Sequence, residues 1–258
     1  MAENPERKQF TFICGCPRSG TTALWDIISA HEKNAIGCER FNHLYPLDKI
    51  TPDHFSRERF FSIQKGDTFY EDISSTRRPT IAINFRRNEK NYDRCMNFGD
   101  KFPFLYEYYP FLLSRFPGCR IVFIMRNIFD VANSYLGRAG AGNPLWPPSR
   151  DAAVAVREWN RSLQMTKDFL SKMPIHIVRY EHLFFKKEGH EDLFRFLGLD
   201  ITDEVRENYH RILQEATDRE NTRRSGSLLT SVDKLNIMVH ADFETYRFLY
   251  GWRAKENE

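Results

Sequence analysis

Three short apolar runs rich in Ile, Val and Phe stand out along the chain, at residues 10–14, 121–125 and 175–178. Each is followed by positions whose apolar residues recur with helical spacing: 21–30, 128–138, and a shorter stretch near 191–197 that Gly198 can terminate. A strand that is apolar on both faces has no side to turn to water, so strands of this kind alternating with helices predict a parallel sheet covered on both faces. The expected fold class is therefore α/β, a three-layer sandwich with a central parallel sheet. Residues 80–84 read as a further strand. Thr51-Pro52 offers an N-cap and a first-turn proline for a helix running towards Lys65. Ser149 is placed to cap a helix from 150 to about 172, and a last helix over 242–250 stops at Gly251. Residues 40–100 lack the apolar periodicity for a core of their own and read as an insertion rather than a second domain. The whole of 1–258 is expected to form one domain, with 1–8 and 254–258 flexible.

Composition narrows the function classes. The chain has 258 residues, 41% hydrophobic and 14% aromatic with 22 Phe, which excludes a disordered or collagenous protein. No apolar run approaches the roughly 18 residues of a membrane span. The polar start (Met1 to Gln9) and the short apolar stretch after it do not make a signal-peptide core, so a cytoplasmic location is expected. Five cysteines (Cys14, Cys16, Cys38, Cys95, Cys119) form no disulfide framework and read as reduced thiols. No His/Cys spacing suits zinc, and no metal is expected. A net charge of +3 falls short of a nucleic-acid binder's basic excess. A local excess lies at 77–101, where Arg77, Arg78, Arg86, Arg87, Lys90, Arg94 and Lys101 face only Glu89, Asp93 and Asp100. It could steer an anion, or be a solvated basic face.

The sharpest motif is Gly15-Cys16-Pro17-Arg18-Ser19-Gly20-Thr21-Thr22, between the first expected strand and the first expected helix. A helix N-terminus there offers free N–H groups and the positive end of its dipole, so the segment reads as a phosphate cradle in a P-loop-like nucleotide fold. Compared with G-x-x-x-x-G-K-[ST], Thr21 stands where the lysine belongs and the basic residue is Arg18. That speaks against ATP or GTP hydrolysis.

Pro17 to Thr22 resembles the 5′-phosphosulfate loop of the sulfotransferases that use 3′-phosphoadenosine-5′-phosphosulfate (PAPS). That family's second signature is an Arg ending a strand with a Ser eight residues later, and Arg126 and Ser134 match it. The resemblance is nearest to the tyrosylprotein and bacterial branches; in the tyrosylprotein branch another Arg follows one turn on, matched by Arg138. Gly37-Cys38-Glu39 resembles the segment carrying the catalytic base, and Gly99-Asp100-Lys101-Phe102-Pro103 the one carrying a catalytic lysine. Val178-Arg179-Tyr180-Glu181 nominates Tyr180 beside the co-substrate, and Arg223-Arg224-Ser225-Gly226 resembles the family's closing loop.

The resemblance implies a PAPS-dependent sulfotransferase acting on an acceptor hydroxyl of a carbohydrate, small molecule or tyrosine, with residues 40–100 on the acceptor side. Arg18, Lys101 and Glu39 would be catalytic, with His31 or His43 next in line as base. Arg18, Ser19, Gly20, Thr21, Thr22, Arg126, Ser134, Arg138, Tyr180, Arg224, Ser225 and Gly226 would bind PAPS, and no metal would be needed. Sulfuryl transfer passes through a loose transition state, so cations that hold the leaving phosphate matter more than a protein nucleophile. A P-loop kinase or NTPase, and a non-catalytic nucleotide-binding module, are the rival readings. The aromatics Phe41, Tyr45, Phe102, Phe104, Tyr106, Tyr108 and Tyr109 read as packing. Trp146 is a candidate border of the acceptor site.

Overall fold

The computed structural model describes residues 8–64, 67, 79–142, 146–223 and 226–252. Its strands are β1 (Gln9–Cys14), β2 (Asn34–Cys38), β3 (Asn97–Lys101), β4 (Arg120–Met125) and β5 (Ile175–Arg179). The helices are α1 (Thr21–Ser29), α2 (Arg57–Phe61), α3 (Pro79–Asn91), α4 (Tyr109–Arg115), α5 (Ile128–Ala139), α6 (Ala152–Phe169), α7 (His190–Leu197), α8 (Asp203–Arg223), α9 (Ser231–His240) and α10 (Phe243–Gly251). The five strands form one sheet in the order β2-β3-β1-β4-β5, with every neighbouring pair parallel.

Side chains alternate across each strand and feed two cores. Phe12, Ile121, Phe123 and Met125 pack on one face with α4, α5, α6, Ile237 of α9 and several residues of α10. Ile13, Val122 and Ile124 pack on the other with α1, α3, α7 and α8. This is the expected three-layer α/β architecture.

Several local expectations change. Residues 80–84 lie in α3, not in a strand: Ile81, Asn84, Phe85, Asn88 and Tyr92 are buried at helical spacing, whereas Ile83 is exposed. Residues 97–100 belong to β3, between β2 and β1, so the sheet claims the end of the segment read as an insertion. The helix after Thr51 breaks into a 3₁₀ turn and α2, because Ser56 turns extended and caps α2 by accepting from Arg59 N–H. α6 is capped by Asp151, which accepts from Val154 N–H at 2.9 Å, rather than by Ser149. Gly198 ends α7 at φ 71°, as the sequence predicts.

Candidate active site

In a parallel sheet all strands end on one side, and the register aligns those ends: Cys38 lies opposite Lys101, Ile13 opposite Lys101, Cys14 opposite Phe123, and Met125 opposite Arg179. The residues emerging there are the 15–20 loop, Glu39, Lys101 itself, Arg126 and Tyr180. Ligands of α/β sheets collect at this carboxyl edge.

The loop after β1 folds on itself through Ser19 N–H to Cys16 O at 3.0 Å, then hands over to α1 at Gly20. Gly20 has φ 96°, a left-handed conformation open to glycine, and an added Cβ would sit 2.8 Å from the Tyr180 ring. The N-cap position is Gly20, which has no side chain to bond the first turn of α1, and the amide N–H groups of that turn suit an incoming anion. Ser19 Oγ is buried and has no hydrogen-bond partner among the described residues. Arg18, held at φ 70°, is exposed, and its Nε donates to Ser134 Oγ at 3.0 Å. The loop is thereby tied to α5.

On the other side of the loop, Arg126 leaves β4 with its side chain buried. Its guanidinium lies 3.9 Å from the centroid of the Tyr180 ring, with Nε 3.7 Å from Asp130 Oδ2. The backbone here is fixed from two directions. Trp159 Nε1 donates to Arg126 O at 2.9 Å, and Asn127 caps α5 by accepting from Phe129 N–H. Arg18, the start of α1, Arg126, Ser134 and Tyr180 border one cavity of about 220 Å³. Its far wall comes from Asp26, Ile212, Glu215 and Ala216.

A second cluster adjoins the loop. The buried Lys101 Nζ donates to Glu39 Oε1 at 2.7 Å and to Thr22 Oγ1 at 3.1 Å. Burial alone would lower the pKa of this ammonium, but Cys38 and Glu39 beside it raise it above the ordinary lysine value, so it is charged at neutral pH. Glu39 takes φ 56° and donates its N–H to Lys101 O at 2.6 Å. Arg18 and Glu39 are two of only four non-glycine residues at positive φ among the described residues. Such conformations cost about 1–3 kcal/mol and gather at functional sites.

The nominated residues divide clearly. Arg18, Ser19, Gly20, Thr21, Thr22, Glu39, Lys101, Arg126, Ser134 and Tyr180 come together at the carboxyl edge. Arg138 is half-buried one turn beyond Ser134 and is not part of the cavity lining. Gly226 is exposed and does not line the cavity either, while Arg224 and Ser225 lie outside the described residues. His31 precedes β2, at the opposite end of the sheet, where its Nδ1 accepts from Lys33 N–H. His43 points to Asp67, 3.8 Å away. Phe41, Tyr45, Tyr106 and Tyr109 are core residues. Phe102, Phe104, Tyr108 and Trp146 are half-buried, and Trp146 lies under the Arg150 guanidinium at 4.2 Å. Cys14 and Cys16 are buried thiols, and burial pushes Cys14 up to about 12. The far wall of the cavity was not foreseen: Ile212, Glu215 and Ala216 lie on α8, some 190 residues from the loop, and share no motif with it. The spacing of the buried Val205, Tyr209, Ile212 and Ala216 would have marked that helix face.

Among the described residues, no group of three or more His, Cys, Asp or Glu gathers as a metal site, and no helix is long and apolar enough to cross a membrane. A search of curated proteins finds none that matches the sequence. Among solved structures, the chain is similar to the sulfotransferase domain from the curacin biosynthetic pathway, with a TM-score of 0.50 at 20% identity over 78% of each chain. It is also similar to the sulfotransferase domain of the Synechococcus PCC 7002 olefin synthase, with a TM-score of 0.50 at 18% identity over 98% of this chain and 92% of that one. At such identities these likenesses speak for the fold. The sequence itself matches the family model described as "Sulfotransferase family" over residues 11–203, a span that runs from β1 to the start of α8 and holds every residue of the carboxyl-edge cluster. The chain belongs to the sulfotransferase family and is an enzyme that transfers sulfate.

Proposed function

We propose that this sulfotransferase takes its sulfuryl group from PAPS and delivers it to an acceptor hydroxyl, with Glu39 as the base. The observation that carries this reading is the Lys101 ammonium, which joins Glu39 after β2 to Thr22 of the phosphate loop in one hydrogen-bonded unit. A base for the acceptor and a cation for the leaving group are thus within one side chain of each other.

The residues present fit PAPS. The start of α1, with glycine at its N-cap, and the Ser19 Oγ, which has no hydrogen-bond partner among the described residues, are donors suited to a 5′-phosphosulfate. Arg126 and Ser134, across the same cavity, suit a phosphate at the far end of the ligand. When bound, PAPS supplies an activated sulfuryl group and leaves negative charge on its 5′-phosphate. Arg18, Lys101 and the α1 amides hold that charge, and preorganised donors of this kind are worth about 10²–10³ each in rate. Glu39 accepts the acceptor's proton, and Lys101 stays protonated beside it throughout. Tyr180 fixes the direction of the Arg126 guanidinium by stacking beneath it.

Calorimetry with adenosine 3′,5′-bisphosphate (PAP) in EDTA tests donor recognition, and saturable binding tighter than that of ATP is expected. A requirement for Mg²⁺, or tighter binding of ATP, would favour the kinase reading instead. Labelled PAPS offered with 4-nitrophenol, N-acetylglucosamine, tyrosine and octanol then identifies the acceptor class, and no transfer to any hydroxyl would point to a binding module.

A further inference from the structure

The strand that delivers Lys101 also carries Asp100, a fully buried acid that no part of the scheme above uses. Successive side chains on a strand point to opposite faces. Lys101 reaches Thr22 at the start of α1, while Asp100 reaches the turn that follows β2. There its Oδ1 accepts the Arg40 N–H at 2.9 Å, and its Oδ2 accepts the Phe41 N–H at 3.0 Å and the Tyr45 hydroxyl at 3.4 Å. With the Glu39 N–H bound to Lys101 O, three successive amides, 39 to 41, are all held by residues 100 and 101 of β3. The fit is close: Gly37 faces Asp100 in the register, and a Cβ there would lie 2.8 Å from Asp100 Oδ1 and 2.6 Å from Arg40 Cβ.

Glu39 sits at the head of this turn in a left-handed backbone conformation, φ 56°, which costs a non-glycine residue about 1–3 kcal/mol. Two anchors keep it there. Its carboxylate meets Lys101 on one face of the sheet edge, and its backbone is pinned from the other face through the Asp100 carboxylate. We infer that Asp100 is a positioning residue for sulfuryl transfer: by clamping the 39–41 turn it holds the Glu39 carboxylate against Lys101 and towards the acceptor. The inference rests on the reading of Glu39 as the base.

An ionised carboxylate suits this clamp because both its oxygens only accept, and all three partners donate. Burial raises the Asp100 carboxyl to about 7. The Arg40 and Phe41 amides and the Lys101 charge hold it down, and Glu39 adds to the rise. Cys38 and Tyr45 are the other titratable groups facing it, and burial keeps Tyr45 a neutral donor. Below neutrality one oxygen gains a proton, the acceptor set is incomplete, and the turn is less firmly held.

The test is a cycle of Asp100→Asn, Glu39→Gln and the double variant, with turnover read on labelled PAPS and the best acceptor of the panel, or water where none reacts. Asp100→Asn presents an amide NH₂ to an amide N–H, and misplacing the base by about 1 Å should lower kcat by roughly 10²-fold. PAP affinity should stay within about twofold, since Asp100 does not line the cavity. In the Glu39→Gln background the same change should cost less than about twofold, because its effect passes through Glu39. A full further loss in the double variant, or normal turnover of Asp100→Asn beside a crippled Glu39→Gln, would overturn the inference and leave the base intact. Normal turnover of Glu39→Gln would overturn both. If Asp100→Asn does not fold, Tyr45→Phe removes one donor from the carboxylate, and the acid limb of kcat should move up by roughly half a unit. A limb that stays put would defeat the inference, because a merely structural loss leaves it unmoved.

Discussion

Replacing Arg126 by alanine separates the two ends of the proposed donor site. The Arg126 side chain is only 4% exposed, so its charge is poorly screened, and its guanidinium stacks 3.9 Å above Tyr180. A phosphate bound there gains charge-assisted hydrogen bonds, and truncating one partner of a buried, hydrogen-bonded charge pair costs about 2–5 kcal/mol. At 1.36 kcal/mol per tenfold, the lower bound alone is roughly a 30-fold rise in the Kd of PAP. The loss of the stack on Tyr180 removes about 0.5–2 kcal/mol from the protein with or without a ligand, and any disorder it brought to the cavity would weaken every ligand alike. Comparing two ligands in one variant removes that ambiguity. Adenosine 5′-phosphate lacks the 3′-phosphate, so calorimetry should show its affinity hardly changed while PAP weakens about 30-fold. Equal loss for both ligands, or for neither, would refute the assignment of Arg126 to the 3′-phosphate. Arg138 supplies a second contrast. The sequence pairs it with Ser134, but it does not line the cavity, so Arg138→Ala should weaken PAP by less than about threefold.

Gly20→Ala should lower both the melting temperature and PAP affinity, because its Cβ would meet the Tyr180 ring at 2.8 Å and push it from beneath Arg126. Calorimetry against an unchanged fold by circular dichroism checks this. His176 is packed on Phe196, and burial lowers it to about 4 from an ordinary 6.5, so it is neutral in the fold and protonated in the unfolded chain between those values. Stability from this group is complete above pH 6.5 and is lost as the pH falls towards 4, so melting temperatures of His176→Phe should fall less over that range. Asp100 has the opposite sign: raised to about 7, it binds its proton more readily in the fold, so its contribution declines as pH rises from about 4 to 7. In Asp100→Asn that decline should be absent, which the same melting series would detect.

Much of the fold was legible because β1, β4 and β5 are apolar through both faces and each precedes a helix. The helix at α3 was misread for a definable reason. Thr80, Ile81 and Ile83 are β-branched, and the buried positions that complete its helical face include Asn84 and Asn88, which an apolar count omits. Asn84 is buried because its Nδ2 donates to Asp26 Oδ1 at 2.8 Å, a pairing with a residue 58 positions away. The candidate phosphate loop was legible because it sits within a strand–turn–helix unit whose ends the sequence marks, whereas Arg126 and Ser134, in a second such unit, were nominated through the family resemblance. The α8 wall of the cavity was not, since only the folded chain brings Glu215 and Ala216 to Thr22.

The two strands that escaped the hydrophobic pattern, β2 and β3, are the ones that carry Glu39 and Lys101. The residues of β3, Asn-Phe-Gly-Asp-Lys, are all buried, yet only Phe98 is a large apolar side chain. Its polar side chains are therefore satisfied within the fold: Asn97 Nδ2 donates to Asn34 Oδ1 and Leu197 O, Asp100 binds the 39–41 turn, and Lys101 binds Glu39 and Thr22. Valine or isoleucine at these positions would meet the packing need of a strand flanked on both sides without any desolvation cost. Replacing a buried ion pair by apolar residues of similar volume is often neutral or stabilising, so stability alone gives little reason for Lys101 and Glu39 to face each other here. The proposed transfer gives one, because in it the cation beside the phosphate loop holds the leaving group and the carboxylate 2.7 Å from it takes the acceptor's proton. On that proposal, the chemistry of the site is the reason its strands do not read as strands.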